Sequence, residues 1–152
     1  MKTLFRNILS LLALSSTDHA ADLVSNGDWA ETITASNLVS GAGSNLQSQL
    51  QSMAGVTALT ISNAPGSWTL RARRSGGPWS GAVSLFVKRT SAGSGSGSIA
   101  GGDSFVEVTG SDVEIFNGSE ARSNVALQFK LTGLSVGVSP ASYLSSIVFT
   151  VQ

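Results

Sequence analysis

His19 is the one histidine in this chain, and there is no cysteine. Imidazole and thiolate carry most general-base, nucleophilic and transition-metal chemistry at neutral pH. His19 falls inside a segment that reads as removable, so the remaining chain is expected to have no catalytic site, no metal and no cofactor. Cations, indoles and carboxylates are what is left. Arg71, Arg73, Arg74, Lys88 and Arg89 put five basic side chains within nineteen positions. If their two segments paired as a hairpin through residues 75–81, they would form one basic patch. Such a patch either keeps an exposed strand soluble, its stems covering apolar surface, or takes an acidic partner. Acidic glycans, lipopolysaccharide phosphates and the acidic face of a neighbouring subunit all fit.

Of the three tryptophans, two stand near these cations in the chain. Trp68 is in phase with Leu70 and Ala72, which places it in a core. Trp79 lies in a Gly-rich turn and is expected to be exposed, where it would stack on a sugar ring beside the arginines. Trp29 opens a candidate first strand and fits either a buried or an exposed position. The run Ser91-Ala92-Gly93-Ser94-Gly95-Ser96-Gly97-Ser98 lacks the Lys-Ser/Thr ending of a phosphate-binding loop and reads as a flexible connection. Asp112 and Glu114, two apart on a candidate strand, supply too few oxygens for calcium, and their spacing alone does not make a glycosidase pair. With Asp103, Glu107 and Glu120 they read as solvated carboxylates.

The elements that must position these groups are strands. Residues 29–35, 56–62, 68–73, 82–90, 105–109, 113–116, 125–132, 134–138 and 143–151 carry β-branched or alternating patterns. Gly- and Pro-rich turns separate them. Residues 45–53 (NLQSQLQSM) space Leu46, Gln49, Leu50 and Met53 at three- and four-residue intervals, which predicts one or two helical turns. Short strands at regular spacing predict an all-β fold, an antiparallel β-sandwich. Leu70, Val83, Leu85, Leu127, Phe129, Ile147 and Phe149, with Trp68, should form its core.

Residues 1–21 read as a cleavable leader. Lys2 and Arg6 precede the apolar run Ile8-Leu9-Ser10-Leu11-Leu12-Ala13-Leu14, and Ala20 and Ala21 supply the exit. Seven apolar residues are far fewer than the roughly 20 a spanning helix needs, and no later segment is apolar enough to cross a membrane. Residues 22–152 then form a single domain of secreted, periplasmic or cell-surface address. Taking away Lys2, Arg6 and Asp18 leaves 7 basic and 8 acidic residues, a net charge of −1. That balance offers nothing to nucleic acid or an anionic membrane. Charged residues are 12% of the chain, about half the usual share, so little repulsion opposes self-association.

The last segment, Tyr143-Leu144-Ser145-Ser146-Ile147-Val148-Phe149-Thr150-Val151-Gln152, follows the turn Val136-Gly137-Val138-Ser139-Pro140. It resembles the closing strand of exported pilin-type subunits and of the spore coat U family. The resemblance covers the leader, the β pattern and these final residues, without the cysteine pair common in that family. It implies an immunoglobulin-like sandwich that shares strands with its neighbours. Tyr143, Ile147, Phe149 and Val151 lie in one phase, with Leu144 and Val148 in the other. Bulk on both faces predicts a central strand.

Two functions fit this reading. The protein is a non-catalytic structural subunit of a filament, pilus-like fibre or coat, with itself as partner. Alternatively it is a secreted carbohydrate-binding or adhesion module using Trp79 and the arginines on a glycan or cell-surface polysaccharide. Under either, the protein found outside the cytoplasm should begin near Ala20 or Ala21, as mass spectrometry will read. Intact Met1 in that fraction would overturn the leader.

Overall fold

A computed structural model describes residues 21–77, 79–138 and 141–152; apart from Ala21, the leader lies outside them. Ten strands follow in chain order: β1 (Asp22–Asn26), β2 (Gln49–Gln51), β3 (Thr57–Ser62), β4 (Ser67–Ser75) and β5 (Ser84–Arg89). After them come β6 (Ile99–Ala100), β7 (Val106–Glu107), β8 (Val113–Ser119), β9 (Arg122–Thr132) and β10 (Ser146–Val151). One antiparallel sheet runs β1-β3-β9-β5-β7, with β2 also on β9; the other runs β10-β4-β8-β6. Among these strands, no two consecutive ones from β3 to β10 share a sheet. Each connection there carries the chain from one sheet to the other.

Alternation decides the core. Leu59 and Ile61 of β3, Leu70 and Ala72 of β4, Leu85 and Val87 of β5, and Val125, Leu127 and Phe129 of β9 are all buried in one cluster fed by both sheets. Trp68 joins them as its phase predicts. Its Nε1 donates to the Glu120 carbonyl at 2.8 Å, and its ring meets Phe116 edge-on at 6.2 Å. On β8 the period breaks: Leu70 faces Phe116 but Arg71 faces Glu114. The extra residue, Ile115, makes a bulge that lets Ile115 and Phe116 both turn inward, as a two-against-one pairing allows. Ile147, Phe149 and Val151 pack partly buried against the same cluster.

Four kinds of expectation are corrected. The first strand is not residues 29–35 but β1, which pairs with β3 from Asp22↔Ser62 to Asn26↔Ala58. Gly27 follows at φ +98°, pressed so close to the Val56 carbonyl that a Cβ would sit 2.2 Å from it. The chain then leaves the sheet, and Trp29 stacks on Phe129 at 6.4 Å. No strand forms over residues 134–138.

Residues 45–53 hold no helix. Leu46 bridges to Leu38, and β2 pairs with the far end of β9 at Leu50↔Leu131. β9 is eleven residues long and β3 covers only its first half, so β2 fills the remaining ladder. Between the two, Ser52 donates its N–H to the Phe129 carbonyl (3.0 Å) and accepts the Phe129 N–H on Oγ (2.9 Å).

The third correction is that β4 and β5 form no hairpin, since they belong to different sheets. The fourth is that β10 is an edge, with β4 its single neighbour among the described strands. Bulk on both faces of this strand marks one face on the core and one resting beside Arg71 and Arg73.

The Gly/Ser run is anchored, not free. Arg122, 8% exposed, donates from its guanidinium to the carbonyls of Gly95 (3.0 Å), Gly97 (2.7 Å) and Ala92 (2.8 Å). A Cβ on Gly97 would lie 1.7 Å from the Ser119 carbonyl, and one on Gly93 2.2 Å from that of Ser123. The alternate glycines let this loop lie directly on the β8–β9 turn.

Phe129 is 5% exposed, whereas Lys130 points outward over the rings of Phe86 and Phe105. Phe129→Ala should cost about 3–5 kcal/mol, a large part of the roughly 5–15 kcal/mol a domain holds. Lys130→Ala should cost about 1 kcal/mol or less. Thermal melts will compare them; equal effects would refute this inward–outward assignment.

Candidate functional site

Because the chain changes sheets between β4 and β5, the five clustered cations separate. Arg71 and Arg73 lie on the outer face of the second sheet. Arg73 Nε stands 3.5 Å from Asp112 Oδ1, both side chains well exposed, a contact worth little in water. Arg71 is flanked in register by Thr150 on β10 and Glu114 on β8. Arg74 closes over the ring of Trp79 at 4.8 Å.

Lys88 and Arg89 belong to the other sheet. Lys88 sits over Phe105 at 4.8 Å on its outer face, beside Lys130. Arg89, its side chain 11% exposed, pairs with Asp103 at 2.7 Å and donates from Nε to the Gly101 carbonyl at 2.9 Å. It ties down the stretch after β6.

Trp79 is half-buried. Its Nε1 donates to the Val83 carbonyl at 2.7 Å, and it packs against the core cluster. With Arg74 over its ring, it is not the fully exposed indole expected from its Gly-rich surroundings. The turn beside it is held close: Gly77, at φ +75°, has no room for a Cβ against the Leu144 carbonyl.

A sheet edge is the more open feature. β10 carries no charge and no proline in Ser146-Ile147-Val148-Phe149-Thr150-Val151. Natural edge strands are commonly blunted by lysines, prolines, bulges or shortness. The edges formed by β6 and β7 are blunted by shortness, at two residues each. β10, at six residues, shows none of these devices.

Its backbone groups can be assigned to sides. Gln152 and Thr69 exchange both hydrogen bonds, at 2.8 and 3.1 Å. In an antiparallel ladder such pairs alternate with pairs that point their groups away. Ser146, Val148 and Thr150 therefore bond β4, and Ile147, Phe149 and Val151 turn their N–H and C=O groups to the open side. β1 contacts β10 from the other sheet. Its Val24 is 52% exposed. Both long edges thus lie on one flank of the molecule. A cavity of about 200 Å³, lined by Ala21, Ala64, Pro65, Trp68 and Val151, lies where Ala21 and Val151 meet the β3–β4 turn.

Arg122 was the functional-looking residue that the clustering of cations passes over, since it stands alone in the sequence. Its signal lies elsewhere, in the glycines at 93, 95 and 97. Glycine at every second position marks a close backbone approach as well as a linker. No protein-family model, curated protein or solved structure matches this chain.

The separated cations should behave differently on substitution. Lys88→Ala should change stability by about 1 kcal/mol or less, since it loses one ring contact. Arg89→Ala removes charge-assisted hydrogen bonds to the Gly101 carbonyl and to Asp103, and should cost about 1–3 kcal/mol. Denaturant titration will check both; a matched pair of values would mean that the two act as one surface patch.

Proposed function

We propose that this protein is an exported, non-catalytic β-sandwich subunit that assembles with copies of itself into a filament, fibre or coat at or beyond the cell surface. One observation carries the reading: β10 is a long, neutral, unblunted edge whose outward backbone groups have no neighbour among the described strands. An edge of that kind is a template for another strand. The low charge of the chain adds no repulsion to oppose association.

The winding is compatible with this reading. Sheet-to-sheet alternation from β3 to β10 is closer to a double-sheet jelly roll than to the immunoglobulin order, in which consecutive strands often share a sheet. Jelly rolls build coats and also lectins, so the fold by itself does not choose between them. The carbohydrate-module alternative rests on an exposed Trp79 beside grouped arginines. With Trp79 capped by Arg74 and the cations dispersed over two sheets, the subunit reading is the stronger.

Size-exclusion chromatography with light scattering, followed by electron microscopy of the purified protein, tests it. Particles larger than the monomer are expected, growing with concentration. A monomer at every concentration, together with retention on a glycan array, would replace this reading with the carbohydrate module.

A further inference from the structure

Resting on the subunit reading, we infer that the occupant of the β10 edge is β10 of a second copy, paired antiparallel about a dyad at Phe149. Ile147, Phe149 and Val151 are the residues whose backbone groups face the open side, as the Gln152–Thr69 exchange fixes. A partner strand must therefore meet these three with its own outward-facing residues. A second β10, run antiparallel with Phe149 opposite Phe149, does so at every position: Ile147 meets Val151, Phe149 meets Phe149, and Val151 meets Ile147. Sliding by two residues in either direction loses at least one of the three pairs. Sliding by one sets inward bonding groups against outward ones.

The faces agree as well. Ile147, Phe149 and Val151 are also the side chains that pack partly buried on the core. The dyad stands perpendicular to the sheet, so it keeps inner faces on one side. It joins the two half-covered apolar rows into one. The second sheet of each copy becomes half of a continuous eight-stranded sheet ordered β6-β8-β4-β10 and its mirror sequence.

Charge does not oppose the contact. β10 itself is neutral, and the nearest cations, Arg71, Arg73 and Arg74, lie one strand further in, Arg74 over the ring of Trp79. In the joined sheet Arg73 of one copy and Arg71 of the other stand three strand spacings apart, about 14 Å. That exceeds the roughly 8 Å screening length at physiological salt, and Arg73 already has Asp112 beside it. A closed pair of this kind uses the same patch on both partners, the commonest arrangement among homo-oligomers. Growth beyond it would use other surfaces.

The absence of cysteine makes the register directly testable. Val148 of one copy would face Thr150 of the other as a non-hydrogen-bonded pair, with Cα atoms about 4.5 Å apart, within the span of a disulfide. Val148→Cys and Thr150→Cys proteins, each prepared by expressing the full chain, would be oxidised with diamide separately and after mixing. A cross-linked dimer is expected in the mixture and not in either protein alone. Val151→Pro is the second probe: its N–H faces the open side, so no bond to β4 is lost. It should melt close to the parent yet elute as a smaller particle.

The outcomes are distinct. Assembled protein that neither cross-links in the mixture nor shrinks on Val151→Pro overturns the β10 pairing and leaves the subunit reading standing. Cross-linking within a single-cysteine protein overturns the register. A parent chain that is monomeric throughout overturns both readings.

Discussion

Both edges of β9 are hydrogen-bonded, and the first sheet depends on that. β5 runs along one side from Ser84↔Thr132 to Arg89↔Leu127, while β3 and β2 share the other end to end. Since β9 buries Val125, Leu127 and Phe129 on one face, its register fixes which side chains of three neighbours enter the core. A one-residue slip would turn every one of them outward. The strand also begins with Arg122, whose guanidinium gathers three loop carbonyls. Buried peptide dipoles need partners, and here one side chain supplies them for the connection that carries the chain from β5 to β6.

That constraint shapes the surface. Connections that change sheets place residues adjacent in sequence on opposite layers, so a cluster of cations along the chain becomes several separate contacts. Arg74 covers an indole, Lys88 a phenyl ring, and Arg89 holds a loop. These three cations serve packing and loop anchoring. What the winding leaves open is backbone: β1 and β10 end their sheets on the same flank, while the opposite edges are reduced to two-residue strands. The proposed assembly function rests on that asymmetry.

Much of the fold was legible. Trp68, Leu70 and Ala72, Val83, Leu85 and Val87, and the alternation through Phe129 all face inward as their spacing indicates. Ile147, Phe149 and Val151 share the predicted phase, although Tyr143 precedes the strand. The misreadings have physical causes. Leu46, Gln49, Leu50 and Met53 fit a helical spacing, but Leu50 flanked by two glutamines fits a strand equally well, and the vacant half of β9 chose the strand. Trp29 resembled a strand residue because stacking on Phe129 needs the same bulk.

The sequence by itself determined which residues turn inward, because side-chain alternation is a local property of an extended chain and needs no knowledge of its neighbours. It also determined charge, the leader-like pattern, the single histidine and the absence of cysteine. Tertiary structure alone decided which strand lies beside which. Those pairings join residues far apart in the chain, such as Gln49 with Thr132 and Leu70 with Val151, and nothing in either segment names its mate. It decided that Trp79 would be capped, that Arg122 would organise a glycine loop, and that β10 would stand at an edge. β10 lacks the charge, proline or bulge that marks many edges, so its own residues did not record that it has no neighbour on one side among the described strands.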